Sequence, residues 1–169
     1  MYLNGRIRRA VYALLLALAL GATAMLVYLQ RPPPAPDIAL TLIDGSHVSL
    51  AALRGRPVLV NFWSTTCEIC VREMPRLAEL YAELEPAGLE IIAIAMPYDP
   101  PVRVAAYAKQ RRLPYPVALD INGNALRAFG GVRGTPAWFL IAPDGAIAMR
   151  HHGELDLNGL RDMIERLLK

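Results

Sequence analysis

Two cysteines, Cys67 and Cys70, are the residues of this chain whose type and spacing most clearly predict chemistry. They are its only cysteines, and two residues separate them. A disulfide across so short a loop constrains the unfolded chain very little, which argues against a purely structural bridge. Disulfide exchange needs an attacking thiolate and a second thiol that resolves the mixed disulfide, and this spacing supplies both. The pair therefore predicts a redox-active disulfide.

Other chemistries share this spacing. A structural zinc site needs four ligands, and the chain offers only His47, His151 and His152 beside the two cysteines. Covalent haem attachment needs a histidine directly after the second cysteine, where Val71 stands. A copper-binding metallochaperone that uses both cysteines and a histidine remains an alternative. No metal and no cofactor is expected otherwise.

The cysteines follow a predicted strand and open a predicted helix. Residues 58–63 form a short, nearly continuous apolar run, which is typical of a buried central strand. Apolar positions from 67 to 85 fit one helical face, and residues 89–96 form a second buried strand. Strand, helix and strand in this order predict a βαβ unit with parallel pairing and a right-handed crossover.

Thr65 and Glu68 have the spacing of a capping box, which predicts Thr65 as the N-cap and places Cys67 in the first helical turn. Free N–H groups and the positive end of the helix dipole favour a thiolate there. Cys70 lies one turn deeper, within bonding reach, as the predicted resolving thiol.

The rest of the chain predicts a hairpin before this unit and an antiparallel half after it. The predicted elements are strands at 38–42 and 47–50 around an Asp44-Gly45 turn, a helix at 102–112, a strand at 117–119, a short helix at 125–129, strands at 137–141 and 146–151, and a helix at 157–167.

Residues 10–29 carry no charge and would span roughly 30 Å as a helix, which is enough to cross a bilayer. Arg6, Arg8 and Arg9 precede this run, so residues 1–9 are expected in the cytoplasm and the rest of the chain outside the inner membrane. A cleaved signal peptide is the alternative, with residues 22–24 as the cleavage site. Either interpretation exports the domain.

Residues 30–36 are rich in proline and predict a stiff spacer, which leaves residues 37–169 as one domain. Four of the 18 basic residues and none of the 15 acidic ones lie before residue 37. The basic character therefore reflects membrane topology, and the near-neutral domain gives no reason to expect a nucleic-acid partner.

From about residue 37 to the end, the sequence resembles the thioredoxin superfamily and, within it, the membrane-anchored, extracytoplasmic TlpA/ResA-type reductases. The resemblance rests on the cysteine pair and on the motifs at 54–63, 73–75, 134–136 and 143–145. It implies an α/β thioredoxin fold, a central mixed sheet flanked by helices, with an added N-terminal β-hairpin.

The resemblance also implies roles for individual residues. Pro136 would be a cis-proline beside the disulfide, and Thr135 would offer backbone groups to an extended substrate. Trp63 would contribute to substrate binding. Glu73 would act as the acid/base that helps to deprotonate Cys70.

Four positions depart from the thioredoxin pattern: Asn61 replaces the buried aspartate, Thr66 the tryptophan before the first cysteine and Ile69 the proline before the second, and Glu68 adds a negative charge beside Cys67. Since residues around the thiolate set the redox potential, the direction of electron flow stays open.

The implied activity is reduction of disulfides in extracytoplasmic proteins, for example apocytochrome c or another periplasmic client. A transmembrane thiol transporter of DsbD or CcdA type would supply the electrons. A disulfide oxidase or isomerase of the same fold is the nearest alternative.

Overall fold

A computed structural model of the chain describes residues 5–29 and 31–169. Residues 1–4, part of the predicted cytoplasmic segment, lie outside the described residues, as does Gln30. The chain divides into two compact units between residues 32 and 33. The first contains helix α1, Gly5–Leu29, which is long and apolar enough to cross a membrane. Its helix begins five residues before the uncharged run at 10–29.

The second unit alternates strands and helices. Its elements are β1 (Ala39–Leu42), β2 (His47–Ser49), β3 (Val58–Trp63), α2 (Glu68–Leu84), β4 (Glu90–Ala95), α3 (Pro101–Arg111), β5 (Val117–Leu119), α4 (Asn124–Ala128), β6 (Ala137–Ile141), β7 (Ile147–His152) and α5 (Leu157–Leu167). These bounds confirm the predicted elements to within two residues at each end. Helix α2 continues past Pro75 without a break.

The seven strands form one mixed sheet in the order β2-β1-β5-β4-β3-β6-β7. Strands β3, β4 and β5 are parallel neighbours, whereas β6 and β7 pair antiparallel on one side. The N-terminal hairpin extends the other side, because β1 pairs antiparallel with β5. The predicted thioredoxin fold with an added hairpin is confirmed.

The core lies on both faces of this sheet, as the alternation of side chains along each strand requires. On one face, Leu59 and Trp63 of β3 pack in a cluster with α2, α3 and α5. On the other, Val60 and Phe62 pack in a cluster that includes Phe129. All six residues of β3 are buried, so the strand that leads to the cysteines is held rigidly from both sides.

The predicted spacer at 30–36 is wrong for its second half. Pro33 accepts a hydrogen bond from the Ile147 N–H at 2.9 Å, and the Ala35 N–H donates to the Gly145 carbonyl at 2.8 Å. Pro34 forms an isolated bridge with Ala146. Proline favours extended backbone, and an extended segment beside a sheet edge can use its free carbonyl and N–H groups in pairing. The folded domain therefore begins at residue 33.

Candidate active site

Cys67 and Cys70 form a disulfide at the junction of β3 and α2, with a Cα–Cα distance of 5.2 Å. Cys67 is the N-cap residue of α2, and its Sγ accepts a hydrogen bond from the Cys70 N–H at 3.2 Å. Cys67 is partly exposed, whereas Cys70 is buried. An attacking thiolate from another molecule therefore meets Cys67 first.

The predicted capping box is wrong, because Thr65 bonds to a distant residue. Its hydroxyl donates to Asp99 Oδ1 at 2.7 Å, and its N–H donates to Asp99 Oδ2 at 2.5 Å. Asp99 lies in the loop between β4 and α3 and is buried. Burial of a carboxylate costs free energy unless hydrogen bonds replace its contacts with water, and the two donors of Thr65 provide such bonds. Asp99 thus fixes the turn that precedes Cys67.

A groove of about 360 Å³ exposes Cys67 to solvent. Its lining residues are Ser64, Thr66, Cys67, Glu68, Ile69, Tyr98 and Thr135. Glu68 is the only charged residue among them, and it is exposed. Among the residues that line this groove, the only charge is therefore negative, and it opposes the effect of the helix terminus on a thiolate.

The Thr135–Pro136 peptide bond is cis, as the resemblance implies. Thr135 shares the groove with Cys67, while Pro136 is buried and its carbonyl accepts from the Gly153 N–H at 2.8 Å. Within residues 31–169, no backbone hydrogen bond involves the N–H or carbonyl of Thr135. These two groups are available for pairing with an extended segment.

Trp63 cannot bind a substrate here, so that prediction is wrong. It is fully buried in the central strand and packs against Tyr107, with 5.4 Å between ring centroids. Because β3 is buried on both faces, the indole has no accessible surface.

Glu73 lies on α2 one turn after Cys70, and only 4% of its surface is exposed. Its Oε1 accepts a hydrogen bond from the Leu155 N–H at 2.8 Å. Among the described residues, nothing pairs with the buried Oε2. Burial raises the pKa of Glu73 above its usual value, and the hydrogen bond from Leu155 opposes this only in part. Glu73 is thus the buried group of α2 that can hold or release a proton.

The histidines take no part in this groove. His151 is partly buried, and its Nε2 lies 2.8 Å from the Glu154 carbonyl oxygen. His152 is exposed and faces the Phe139 ring. In the described part of the chain, no cluster of three His, Cys, Asp or Glu residues could hold a metal ion. The copper alternative finds no third ligand among the residues that line the groove.

Two residues of the site, Tyr98 and Asp99, escape a sequence-based search. They follow the buried strand β4, and the carboxyl ends of parallel strands meet at one edge of a sheet. That rule places the loop after β4 beside the cysteines that follow β3. The position of Tyr98 and Asp99 directly after a parallel strand is therefore the one sequence feature that could have identified them, because no local motif marks these two residues.

A disulfide at a helix N-terminus directly after a central strand, in a groove that it shares with Thr135 of a cis-prolyl bond, defines a thiol-disulfide oxidoreductase of the thioredoxin fold.

Comparison with known proteins agrees. Residues 33–150 match the AhpC/TSA family. The chain is 31% identical to thiol-disulfide oxidoreductase ResA of Bacillus cereus over 97% of both chains. It is 34% identical to ResA of Geobacillus kaustophilus over 78% of this chain and 68% of that protein. It also resembles the crystal structure of a thiol:disulfide interchange protein from Chlorobium tepidum, with a TM-score of 0.75 and 28% identity over 82% of this chain and 98% of that one.

The chain belongs to the AhpC/TSA family and, within it, to the ResA-type thiol-disulfide oxidoreductases.

Proposed function

We propose that this oxidoreductase works as a reductant of protein disulfides on the outer side of the inner membrane. The observation that carries the direction is the charge around Cys67, since Glu68 is the only charged residue of the groove. A strong disulfide oxidant owes its potential to a stabilised thiolate. Here a negative charge opposes the helix terminus, so the disulfide form is favoured and the dithiol gives up its electrons readily.

Cys67 performs the first step. Its thiolate attacks one sulfur of the client disulfide, a Cys67–client disulfide forms, and the other client sulfur leaves with the electron pair of the broken bond. The partial exposure of Cys67 in its groove allows this approach. The free N–H and carbonyl of Thr135 pair with the client backbone beside its cysteine and hold it in line for attack.

Cys70 performs the second step. Its thiol is buried, so it must lose a proton before its sulfur can attack Cys67 and release the client as a thiol. Glu73, with its unpaired Oε2 on the same helix, accepts that proton. Its raised pKa brings the carboxyl closer to the range in which it can both take up and return a proton.

The N-terminal helix supports a membrane setting for this chemistry. Helix α1 can span a bilayer, and the three arginines at its N-terminal end favour a cytoplasmic N-terminus. The domain then faces the periplasm or its equivalent, where clients such as apocytochrome c expose cysteine pairs. A transmembrane thiol transporter of DsbD or CcdA type would reduce the Cys67–Cys70 disulfide after each cycle.

Equilibration with glutathione tests the direction. We expect a reduction potential near that of thioredoxin, about −270 mV, and a potential near about −120 mV, as in DsbA, would identify an oxidase instead. The matched variant is Glu68→Gln, which removes the charge and keeps the side-chain shape. It should raise the potential, because the thiolate is then less disfavoured.

Trapping identifies the client. A Cys70→Ser chain cannot complete the second step, so it should accumulate mixed disulfides through Cys67 in cells. A Cys67→Ser, Cys70→Ser chain is the control and should capture nothing. If the single variant carries no client thiol in living cells, the proposed protein reductase activity is wrong.

A further inference from the structure

Residues 153–155 join β7 to α5 and belong to neither element. We call them the connecting segment. At its first residue, the Gly153 N–H donates a hydrogen bond to the Pro136 carbonyl at 2.8 Å. At its last residue, the Leu155 N–H donates to Glu73 Oε1 at 2.8 Å. The connecting segment therefore links the cis-proline to the buried carboxyl of α2.

The middle residue of the connecting segment, Glu154, has two partners. Its side chain pairs with Arg72 at 3.0 Å, but the two side chains are 63% and 60% exposed, and such surface pairs contribute little to stability. Its carbonyl oxygen lies 2.8 Å from His151 Nε2. A carbonyl oxygen only accepts, so Nε2 carries the hydrogen and donates it. His151 is partly buried at the end of β7, and its ring is thus the side-chain donor that fixes the middle of the segment.

The position of the connecting segment determines which oxygen of Glu73 can take up a proton. Oε1 is engaged by the Leu155 N–H, whereas the buried Oε2 has no partner among the described residues. Burial raises the pKa of Glu73, and the bond from Leu155 lowers it because a donor stabilises the charged carboxylate. The charges that act on this carboxyl are on exposed side chains, since Glu154 raises its pKa and Arg72 and Arg76 lower it. The N–H of Leu155 is the partner that a shift of the segment would remove.

We propose that His151 is a positioning residue for the second step: its ring holds the connecting segment so that the Leu155 N–H stays on Oε1 of Glu73. Oε2 is then the oxygen left to accept the proton of Cys70. His151 does not line the groove of Cys67, so it acts only through the segment. The inference rests on the proposed function, because it needs Glu73 as the acid/base, and it does not depend on the client or on the direction of electron flow.

The test measures the second step across a range of pH in the full-length chain, reduced and in detergent. The chain is mixed with an excess of a peptide whose single cysteine forms a mixed disulfide with thionitrobenzoate. Cys67 attacks the peptide sulfur, and thionitrobenzoate leaves with the electron pair of the broken bond. Cys70 then gives its proton to Glu73 and its sulfur attacks Cys67, so the Cys67–Cys70 disulfide forms and the peptide leaves as a thiol. Acid stops the reaction at successive times, and mass spectrometry counts the chains that still carry the peptide.

The part of the pH profile that Glu73→Gln removes belongs to Glu73, and its midpoint is the quantity compared. In His151→Leu, which lacks the donor, we expect this midpoint to move to higher pH, because the carboxylate loses a hydrogen bond that stabilises it. The rate below the midpoint should fall by about three- to tenfold. His151→Gln keeps an N–H donor at a similar reach and should restore the original midpoint. His47→Leu, the same substitution at the exposed histidine of β2, is the matched control and should change neither midpoint nor rate.

The midpoint does not depend on the amount of folded protein, so partial unfolding of a variant cannot imitate the expected shift. An unchanged midpoint in His151→Leu would overturn the proposal, as would a rate that falls equally at every pH. So would equal shifts in His151→Leu and His151→Gln, because the donor would then not be what holds the segment. If Glu73→Gln leaves the profile unchanged, the proposed acid/base itself is wrong. The expected shift together with a redox potential in the oxidase range would support the role of His151 and contradict only the reductase direction.

Discussion

Glu73 combines burial, one satisfied oxygen and one unpaired oxygen in a single side chain. A carboxyl in such a place destabilises the fold when charged, which suggests that its proton is used. Its location one turn after Cys70 gives the buried thiol a base within the same helix. The proposed second step depends on this residue more than on any other apart from the cysteines.

Replacement of Glu73 by Gln tests that role. The amide oxygen can still accept from the Leu155 N–H, so the fold should persist, but no proton can be taken from Cys70. We expect release of the mixed disulfide to slow by about 10²-fold or more, measured by stopped-flow with a client peptide bound to Cys67. Glu79→Gln, on the exposed side of the same helix, is the control and should react at the original rate.

The same carboxyl predicts a pH dependence of stability. Burial raises the pKa of Glu73 in the folded chain above that of the same carboxyl in the unfolded chain, so the folded state holds the proton more tightly than the unfolded one. The stabilisation from this group is complete below the unfolded-state pKa and is lost as the pH rises through the folded-state pKa. In urea unfolding of the oxidised chain, the free energy of unfolding should fall as the pH rises through the folded-state pKa of Glu73. In the Glu73→Gln variant this fall should be smaller. An identical pH profile in both proteins would contradict the assignment.

At the scale of elements, the loop after β4 determines the geometry of the reactive turn. Asp99 connects two segments 34 residues apart through both donors of Thr65. Helix α2 begins only after this turn, with Cys67 itself as its N-cap. The cap that the sequence pattern assigns to the threonine is thus made by the cysteine sulfur.

Removal of the threonine hydroxyl tests this connection. Thr65→Val keeps the shape but leaves Asp99 Oδ1 without its partner, and we expect a loss of about 1–3 kcal/mol in the free energy of unfolding. Thr65→Ser retains the hydroxyl, so its free energy of unfolding should fall much less. Urea unfolding measures both, and exchange with dithiothreitol should slow in the valine variant because the turn before Cys67 loosens. Equal stabilities of the two variants would show that the bond contributes little.

Element boundaries could be predicted here because each depends on local patterns. The apolar run of β3 and the turn between β6 and β7 are both complete within a few residues. The partner of Thr65 could not be predicted in this way. It depends on Asp99, a residue distant in the sequence that only the folded sheet brings close. The burial of Trp63 agrees with the apolar run of its strand and contradicts only the substrate role that the resemblance implied.

For the whole molecule, the same limit applies to the proline-rich segment. Its composition is typical of a spacer, and nothing local reveals that β7 offers it hydrogen-bonding groups. The cis bond before Pro136 could be expected only through the resemblance, since proline alone gives a low frequency of cis. The disulfide chemistry was predictable, because the spacing of the two cysteines and their position directly after a strand can both be recognised within a short stretch of sequence.

The start of the domain gives the last prediction. Hydrogen bonds of Pro33 and Ala35 with residues 145–147 join the segment to the edge of the sheet, and Ala35 and Pro36 are half-buried. A chain that begins at residue 33 should therefore unfold at the same urea concentration as the domain of the full-length protein. A chain that begins at residue 37 loses both bonds and the contacts of Ala35 and Pro36, and should be less stable by about 1–3 kcal/mol. Equal urea midpoints for the two truncated chains would show that residues 33–36 add no stability and act only as a spacer.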